Sequence, residues 1–386
     1  MTDADLAALA AHHGTPTYVL DLDDVRARLA ELRAAFPDAH VHYAAKANGH
    51  PAVLRALAER GAGVEAITEG ELRAAAAAGV PGSALLLGGP GQDAAARAAA
   101  RELGVALVSL DGRAQAAAWR AEPGPLPRFL VRVHPQLDPA THPHLATGAM
   151  GSKFGVTPAV AAALARDLAE AGRLAGFHVH VGSMIADPRT YDALLAVLDP
   201  LFDAVPEARV ANLGGGFAVP GADLPAVAAR VVPWVRRRGL ELRLEPGRFL
   251  VADAGTLLTR VLWRKEPGET GGRTHWICDA GMTHYARHAL YGAEPPIRGV
   301  GTLRGRPATG DVDGPACENG DRLGTDRTLA ADAGDLLAVG RAGAYGAAMA
   351  STYTAAPRPA EVVIDGGVAR LARRRETPAD LAARDA

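Results

Sequence analysis

The chain contains 386 residues, of which 48% are hydrophobic and 22% are charged, and its formal net charge is -2. This composition excludes a chain that is disordered throughout, and the nearly balanced charges argue against a nucleic-acid surface or a basic membrane-binding face. The length suggests two domains, or one large barrel with an appendage. We therefore expect small molecules, and neither nucleic acids nor membranes, as ligands.

The cysteines and the N-terminus indicate the compartment. Cys278 and Cys317 are too few to crosslink a chain of this length and lack zinc-ribbon spacing, so we expect free thiols in a reducing environment. Acidic residues stand at positions 3 and 5, where a secretory signal would need basic ones. The longest uncharged run, residues 74–92, is rich in Ala and Gly and is broken by two prolines, which argues against a membrane span. The sequence thus predicts a cytoplasmic protein.

From about residue 23 to residue 255, short β-like runs alternate with amphipathic stretches rich in Ala and Leu. Such alternation predicts parallel strands separated by helices, and about eight units close most simply into a TIM-like (β/α)8 barrel. The predicted strands span residues 40–44, 63–67, 84–87, 106–110, 129–133, 176–180, 210–213 and 241–244.

After residue 255 the sequence changes to β-branched runs separated by glycine-rich turns. This pattern predicts a mostly antiparallel, sandwich-like β domain over residues 256–370, which the run at residues 17–20 is expected to join. The predicted strands span residues 257–263, 275–279, 310–312, 335–339 and 360–364. Residues 371–386 are charged and predict a frayed tail or a terminal helix.

Functional groups of a β/α barrel gather at the carboxyl ends of its strands. Lys46 follows the first predicted strand in an apolar setting, which would favour a nucleophilic amine, with a surface charge as the alternative. His178 and His180 lie on the same side of the sixth strand and could bind a metal. The small turn at Gly182 and Ser183 suits a phosphate better, so we predict no metal site.

The last two predicted strands of the barrel lead into further candidate groups. Backbone N–H groups of consecutive glycines can turn toward an anion, and the loops after strands seven and eight are the usual phosphate site of such barrels. The glycines concerned are Gly214, Gly215 and Gly216. Glu245 and Arg248 follow strand eight, where an internal salt bridge is the alternative. A reactive lysine, a phosphate site, an imidazole and a carboxylate are together what pyridoxal phosphate requires.

The ordered motifs resemble those of the fold-type III pyridoxal-phosphate-dependent decarboxylases, the family that acts on ornithine, lysine, arginine and diaminopimelate. The chain is most similar to the diaminopimelate branch, over about residues 16–364. This resemblance implies an alanine-racemase-like barrel with a C-terminal β domain, and pyridoxal 5'-phosphate as cofactor. It rests on residues 43–48, 147–148, 152–155, 178–183, 214–216, 245–248, 317–321 and 343–345.

The resemblance also implies roles for individual barrel residues. Lys46 would bind the cofactor covalently through a Schiff base, Glu245 would pair with its ring nitrogen, and His180 would stack on the ring. The phosphate would be held by several groups from separate loops. They are Ser183, the Gly214–Gly216 loop, the backbone of Gly247 and Arg248, and Tyr345.

Substrate groups are implied in the same way. Cys317 would return a proton to the α-carbon after carbon dioxide leaves, reaching in from the partner subunit of a homodimer with shared sites. Arg248 and Arg287 would clamp a distal carboxylate, with Tyr291 and Tyr345 beside the substrate. Glu318 would pair with a distal ammonium. A pair between Lys153 and Asp321 would cross the subunit interface.

Several residues depart from the family pattern, and most lie in motifs near the predicted substrate end. They are Glu65, Met184, Thr283, His284, His288, Asn319 and residues 353–357. We therefore expect decarboxylation of an amino acid with a distal amino-acid head, with meso-diaminopimelate to L-lysine as the leading reaction. A related or carrier-linked amino acid, a racemase reaction and a non-catalytic pyridoxal-phosphate-binding homologue remain as alternatives.

Overall fold

The computed structural model describes residues 1–137 and 151–384. The motif predicted at Thr147 and Gly148 lies outside the described residues. The described chain separates into two compact units, one formed by Val25–Leu250 and the other by Met1–Asp24 together with the chain from Val251 onward. No helix in the described ranges is both long and apolar enough to cross a membrane.

Eight parallel strands form a closed barrel in the first unit. Each strand pairs with the next along the chain. The last strand pairs with the first, with His40 opposite Arg243 and Val41 opposite Leu244. The predicted (β/α)8 barrel is therefore confirmed. The strands are β2 His40–Ala44, β3 Gly63–Ala66, β4 Leu85–Leu87, β5 Leu107–Leu110, β6 Arg128–Val133, β7 Leu174–Val179, β8 Val210–Asn212 and β9 Glu241–Leu244.

Every barrel strand is followed by a helix, and polar side chains start several of these helices. The Asp93 carboxylate accepts the Ala96 N–H at 2.8 Å, and the Asp223 carboxylate accepts the Ala226 N–H at 2.9 Å, so each satisfies an unpaired donor of a first turn. The helices are α3 Pro51–Ala58, α4 Glu69–Ala77, α5 Ala94–Glu102, α6 Arg113–Ala121, α7 Pro158–Glu170, α8 Arg189–Ala204, α9 Leu224–Arg238 and α10 Arg248–Val251, preceded by α1 Asp3–His13 and α2 Leu22–Ala35.

A cluster of aliphatic side chains from five successive strands holds the barrel together. Because parallel barrel strands are covered on both faces, their sequences are nearly continuous apolar runs, as in β4 and β7. Each fully buried leucine contributes about 1.5–3 kcal/mol. The cluster comprises Leu86, Leu107, Leu130, Ala175 and Val210. Such packing leaves the carboxyl ends of the strands to carry polar groups.

The described part of the second unit contains nine strands in one mixed sheet. Its strand order is β14-β13-β11-β10-β1-β16-β17, and β15 pairs with both β10 and β12. Two pairings, β1–β16 and β11–β13, are parallel and the other six are antiparallel, so the sheet is mixed but mostly antiparallel, as the sequence predicted. The strands are β1 Thr17–Asp21, β10 Gly255–Lys265, β11 Thr274–Cys278, β12 Ile297–Gly299, β13 Ala308–Asp313, β14 Arg322–Leu329, β15 Leu336–Val339, β16 Ala360–Asp365 and β17 Val368–Arg373.

Three of these strands were missed in the sequence, and each for a physical reason. Strand β12 has only three residues, and every residue of β17 is exposed. In β14 only three of the eight residues are buried, and Arg322, Asp326 and Arg327 interrupt the apolar pattern. A strand that buries little surface needs no apolar pattern, so no pattern marks it. Strand β17 also occupies the start of the predicted tail, which continues into the short helix α13 Pro378–Ala382; α11 Pro267–Thr270 and α12 Arg287–Tyr291 complete the unit.

The core of the second unit surrounds Trp276 of β11. Its indole N–H donates to the Ala331 carbonyl at 2.9 Å, which satisfies the one polar atom of a fully buried ring. Cys278 belongs to the same core, and burial raises the pKa of its thiol. A thiol buried in this way is expected to be unreactive, because little thiolate forms.

Thr354 occupies a strained backbone position in the second unit. Its φ of 58° lies in the left-handed region, which is costly for a β-branched residue and readily adopted by asparagine. We expect Thr354→Asn to stabilise the protein by about 1 kcal/mol, because the strain falls and no buried contact is lost. Chemical denaturation monitored by tryptophan fluorescence checks this, with Thr352→Asn as the matched control. An unchanged or lower midpoint for Thr354→Asn would contradict the expectation.

Candidate active site

Lys46 lies at the mouth of the barrel, in the 3-10 turn Ala45–Ala47 that follows β2. Its Nζ lies 2.7 Å from Oε2 of Glu65 at the end of β3; the lysine side chain is 39% exposed and the glutamate side chain 4% exposed. Burial raises the pKa of Glu65, and the Lys46 ammonium opposes this shift. The apolar setting expected from the sequence is thus replaced by an ion pair. Glu65 was noted in the sequence only as a departure from the family pattern.

Glu245 follows β9, and its carboxylate is fixed from two sides. Oε1 accepts a hydrogen bond from the Asn212 side-chain N–H at 2.7 Å, and Oε2 lies 3.5 Å from Nε2 of His178. Burial raises the pKa of Glu245, while the Lys46 charge and the Asn212 hydrogen bond lower it. A buried carboxylate held in this way is a stronger base than an exposed glutamate. No role was predicted from the sequence for Asn212, the last residue of β8.

The His178 side chain is buried. Its Nδ1 lies 2.7 Å from the Ser109 hydroxyl, and its buried Nε2 makes no hydrogen bond among the described residues. Burial, with smaller effects from Arg132 and Lys46, holds the pKa of His178 well below its usual value, so the ring is neutral at pH 7. Across the described ranges, no group of three or more His, Cys, Asp or Glu side chains forms a candidate metal site.

His180 and the glycine loop hold each other in place. The Gly215 N–H donates to Nδ1 of His180 at 3.2 Å, which places the imidazole proton on Nε2. Burial keeps the pKa of His180 well below its usual value, again giving a neutral ring. A Cβ at Gly214 would lie 2.5 Å from that same Nδ1, and one at Gly215 would lie 2.2 Å from the Glu245 carbonyl oxygen. Only glycine fits these two positions.

Two amides of the glycine loop have hydrogen-bond acceptors within the chain. The Gly214 N–H donates to the Asn212 side-chain oxygen at 2.9 Å, and the Gly215 N–H is used by His180. Two of the three amides therefore position the side chains around Glu245. This arrangement could not be inferred from the glycine run, because it depends on loops that follow two different strands.

Ser183 and Arg248 meet on the same side of the barrel mouth. The Arg248 guanidinium donates to the Ser183 hydroxyl through Nε at 3.3 Å and Nη2 at 3.1 Å. Arg248 is buried at the start of α10, directly after Gly247. A hydroxyl and a buried guanidinium in contact provide donors that suit an anion.

A further buried cation, Arg132, lies near the carboxyl end of β6. The Arg132 guanidinium lies 3.5 Å from the Asp111 carboxylate and 4.6 Å from the Phe154 ring centroid. The same carboxylate accepts the Gly155 N–H at 2.7 Å, so it holds the motif at residues 152–155 to the barrel. Arg132 is also one of the charges that keep both histidines neutral.

The remaining predicted residues belong to the second unit, where they form two groups. Arg287 is buried; its Nη1 donates to the Ala344 carbonyl at 3.3 Å, and its guanidinium carbon lies 5.7 Å from the Tyr345 ring centroid. Tyr291, at the end of the same helix, is half-buried. Cys317 and Glu318 are both exposed on the loop after β13.

Asp321 fixes the loop that carries Cys317. Its buried carboxylate accepts the backbone N–H of Met282, and that of Ala316 at 2.6 Å. The sequence assigned Asp321 to a pair with Lys153 of another subunit. Within the chain the Asp321 carboxylate is used for these backbone contacts, and the Lys153 Nζ lies 5.4 Å from the Phe154 ring centroid.

A known family model matches this chain. The model describes the pyridoxal-binding domain of pyridoxal-dependent decarboxylases, and it matches residues 22–252, which include the whole barrel. The chain belongs to the pyridoxal-dependent decarboxylase family. It is accordingly a pyridoxal-phosphate-dependent carboxy-lyase, as its motifs predicted.

Relatives and solved structures point in the same direction. The chain is 41% identical over 374 residues to diaminopimelate decarboxylase of Deinococcus radiodurans, covering 96% of each, and 34% identical to that of Aquifex aeolicus, covering 96% of this chain and 91% of the relative. It is similar to the crystal structure of Helicobacter pylori diaminopimelate decarboxylase with L-lysine, with a TM-score of 0.90, 28% identity, and coverage of 98% and 99%. The predicted fold class is confirmed.

The residues at the barrel mouth fit the cofactor of this family. A lysine amine, a buried carboxylate of raised pKa and a neutral imidazole lie around a loop where any Cβ would collide with the site. The buried Nε2 of His178 faces the same carboxylate. Pyridoxal phosphate needs an amine, a base for its ring nitrogen and anion-binding donors, and these groups provide them.

Proposed function

We propose that this decarboxylase converts meso-diaminopimelate to L-lysine. The observation that carries the proposal is the match to diaminopimelate decarboxylases over nearly the full length of both chains, at 41% identity in the most similar case described above. The chemistry of the second unit supports it, since a buried arginine and an exposed glutamate suit the carboxylate and the ammonium of a distal amino-acid head. A diamine-forming reaction would leave Arg287 without a carboxylate to bind.

The barrel residues would hold the cofactor and prepare the α-carbon. Bound pyridoxal phosphate supplies an aldehyde that joins amines and a ring that accepts the electron pair left when carbon dioxide departs. Lys46 provides the amine that attaches the cofactor, and Glu65 accepts a hydrogen bond from that amine. The Glu245 carboxylate would accept a hydrogen bond from the protonated ring nitrogen, whose positive charge favours the ionised carboxylate, and this pairing would keep the ring a good electron acceptor. His180 would pack against the ring as a neutral imidazole.

Anion-binding groups would fix the phosphate. In this proposal Ser183, the glycine loop, the backbone at Gly247 and Arg248, and Tyr345 bind its oxygens. The contact between the Arg248 guanidinium and the Ser183 hydroxyl supports this placement, because it orients the hydroxyl beside a fixed positive charge.

Substrate binding and proton return would use the second unit. Arg287 and Arg248 would bind the distal carboxylate, with Tyr291 and Tyr345 alongside, and Glu318 would bind the distal ammonium. Cys317 would donate the proton that replaces carbon dioxide on the α-carbon. Its exposure on a loop held by Asp321 supports this role, since a proton donor must be both accessible and fixed in place.

We further propose a homodimer in which the partner subunit supplies Cys317 and Glu318. We also propose a cytoplasmic location, which agrees with two free cysteines and no disulfide in the chain. Sedimentation at assay concentrations checks the first statement. A fully active monomer would contradict it.

A substrate panel tests the proposed reaction. Purified protein with pyridoxal phosphate is incubated with meso-diaminopimelate, ornithine, lysine or arginine, and both carbon dioxide and the amine product are measured. We expect L-lysine from meso-diaminopimelate, with kcat/KM at least about 100-fold above that for the other three, because a missing distal group leaves a charged side chain unpaired. Equal turnover of ornithine or lysine would contradict the assignment, and so would release of carbon dioxide without lysine.

A further inference from the structure

Two loops of the second unit contact each other through the side chains of Glu318 and Tyr353. Only Glu318 has a role in the proposed reaction. The cysteine loop, residues 314–321, carries Glu318, and the tyrosine loop, residues 351–357, carries Tyr353. The Tyr353 hydroxyl donates a hydrogen bond to the Glu318 carboxylate. Both side chains are exposed, so the contact is not a by-product of core packing. The hydrogen bond and the charge of Glu318 raise the pKa of the Tyr353 phenol.

The segment at residues 281–284 holds both loops. On one side, the Met282 N–H donates to the Asp321 carboxylate of the cysteine loop. On the other, the Thr283 carbonyl accepts the Ser351 N–H of the tyrosine loop at 2.9 Å. The two loops are therefore tied to one short piece of backbone as well as to each other.

His284 adds a second tie to the tyrosine loop. Its Nδ1 accepts the Gly281 N–H at 3.4 Å, and its imidazole N–H bonds to the backbone of Pro357. Burial lowers the pKa of His284, which keeps the ring neutral in this donor and acceptor role. Thr283, His284 and the tyrosine loop all depart from the family pattern, and the structure shows that these departures are in contact.

The backbone of the tyrosine loop is strained where it presents Tyr353. Thr354 and Ala355 have φ values of 58° and 54°, in the left-handed region that residues other than glycine rarely adopt. Such strain persists only where surrounding contacts impose it, and it is common at binding sites. Here the contacts are those of Ser351 and Pro357 with residues 283 and 284.

We propose that Tyr353 is a specificity-determining residue that positions the Glu318 carboxylate to receive the distal ammonium of the substrate. This inference rests on the proposed function. A free glutamate loses rotamer entropy when it binds a ligand, and a fixed one has less to lose. A phenol fixes the carboxylate without cancelling its charge, whereas a lysine or arginine would neutralise the group that must attract the ammonium.

Steady-state kinetics of Tyr353→Phe test the role. We expect KM for meso-diaminopimelate to rise roughly tenfold while kcat changes by less than about twofold, because one hydrogen bond to a charged group is lost and the reacting centre is untouched. With 2-aminopimelate, which has the distal carboxylate but no distal ammonium, KM should stay the same in wild type and variant. A change in KM for both substrates would indicate a general loss of loop structure and would overturn the proposal.

Two further variants separate positioning from structure. Thr354→Asn, in the same loop, leaves the Tyr353 contact in place and should keep the wild-type KM. In a Glu318→Gln background, Tyr353→Phe should add less than about twofold to KM, because a residue that acts only through Glu318 has nothing left to position. Additive effects of the two substitutions would contradict the proposal.

A spectroscopic titration checks the contact without catalysis. In Glu318→Gln the negative charge is removed and the amide oxygen is a weaker acceptor, so the pKa of Tyr353 should fall and one additional tyrosinate should form at a lower pH than in the wild type, followed by absorbance at 295 nm. Tyr353→Phe in the same background is the control and should abolish that transition. Identical titrations of wild type and Glu318→Gln would contradict the contact.

The outcomes distinguish this proposal from the proposed function. A wild-type enzyme that does not turn over meso-diaminopimelate contradicts the proposed function. A wild-type enzyme that does so, with the same KM in Tyr353→Phe, contradicts the role of Tyr353 alone.

Discussion

Replacing Lys46 with alanine is expected to reduce turnover by at least about 10⁴-fold, because covalent attachment and amine exchange both require its Nζ. The substitution also leaves the buried Glu65 without its cation, which complicates any loss of activity. Lys46→Arg resolves this, since arginine can still pair with Glu65 but has no nucleophilic amine. We expect Lys46→Arg to fold and bind the cofactor weakly, and to remain inactive.

The small number of lysines in the chain allows the lysine that binds the cofactor to be identified directly. Lys46, Lys153 and Lys265 are the only lysines in the sequence. Borohydride reduction followed by peptide mass spectrometry should label the peptide containing Lys46. Lys265→Ala, at an exposed position of β10, is the control and should keep full activity. Labelling at another lysine, or substantial turnover by Lys46→Arg, would refute the assignment.

Cys317→Ala is expected to lower product formation by roughly 10²- to 10³-fold, the usual contribution of a positioned general acid. Because Cys317 is exposed, its removal leaves no cavity and the fold should be unaffected. The rate of lysine formation, measured beside the melting temperature, checks both parts. Wild-type rates in Cys317→Ala would exclude the thiol as the proton donor.

Mixing the two inactive variants tests whether sites are shared. If each site takes Lys46 from one subunit and Cys317 from the other, half of randomly exchanged dimers are mixed and each has one intact site, so activity should recover to about one quarter of wild type. Lys46→Ala mixed with the double variant Lys46→Ala/Cys317→Ala is the control and should stay inactive. No recovery after confirmed subunit exchange would place the whole site within one subunit.

Much of the fold could be predicted from the chain, because barrel strands bury both faces. Strands β2 and β9 match their predicted bounds, because the alternation of polar and apolar residues in HVHYA and ELRL has the period of a strand. The second unit was harder. Strand β17 is exposed along its whole length and β14 is rich in charges, so neither carries the apolar pattern by which strands are detected.

The candidate site was also predictable only in part. Lys46, His180 and Glu245 follow predicted strands, and parallel strands bring their carboxyl ends to one edge, so their grouping was predictable. Their partners were not. Glu65, Asn212 and His178 each come from a different strand than the residue they position, and no local pattern links them.

The sequence by itself determined the barrel, the family and the chemical groups at the barrel mouth, because hydrophobic periodicity and residue order along the chain specify them. Only the tertiary structure decided which of those groups are charged or neutral and which carboxylates are held in place. Burial and contacts between distant loops set those properties. The ion pair of Lys46 with Glu65 and the hydrogen bond from Tyr353 to Glu318 join residues 19 and 35 positions apart, and such contacts exist only once the chain has folded.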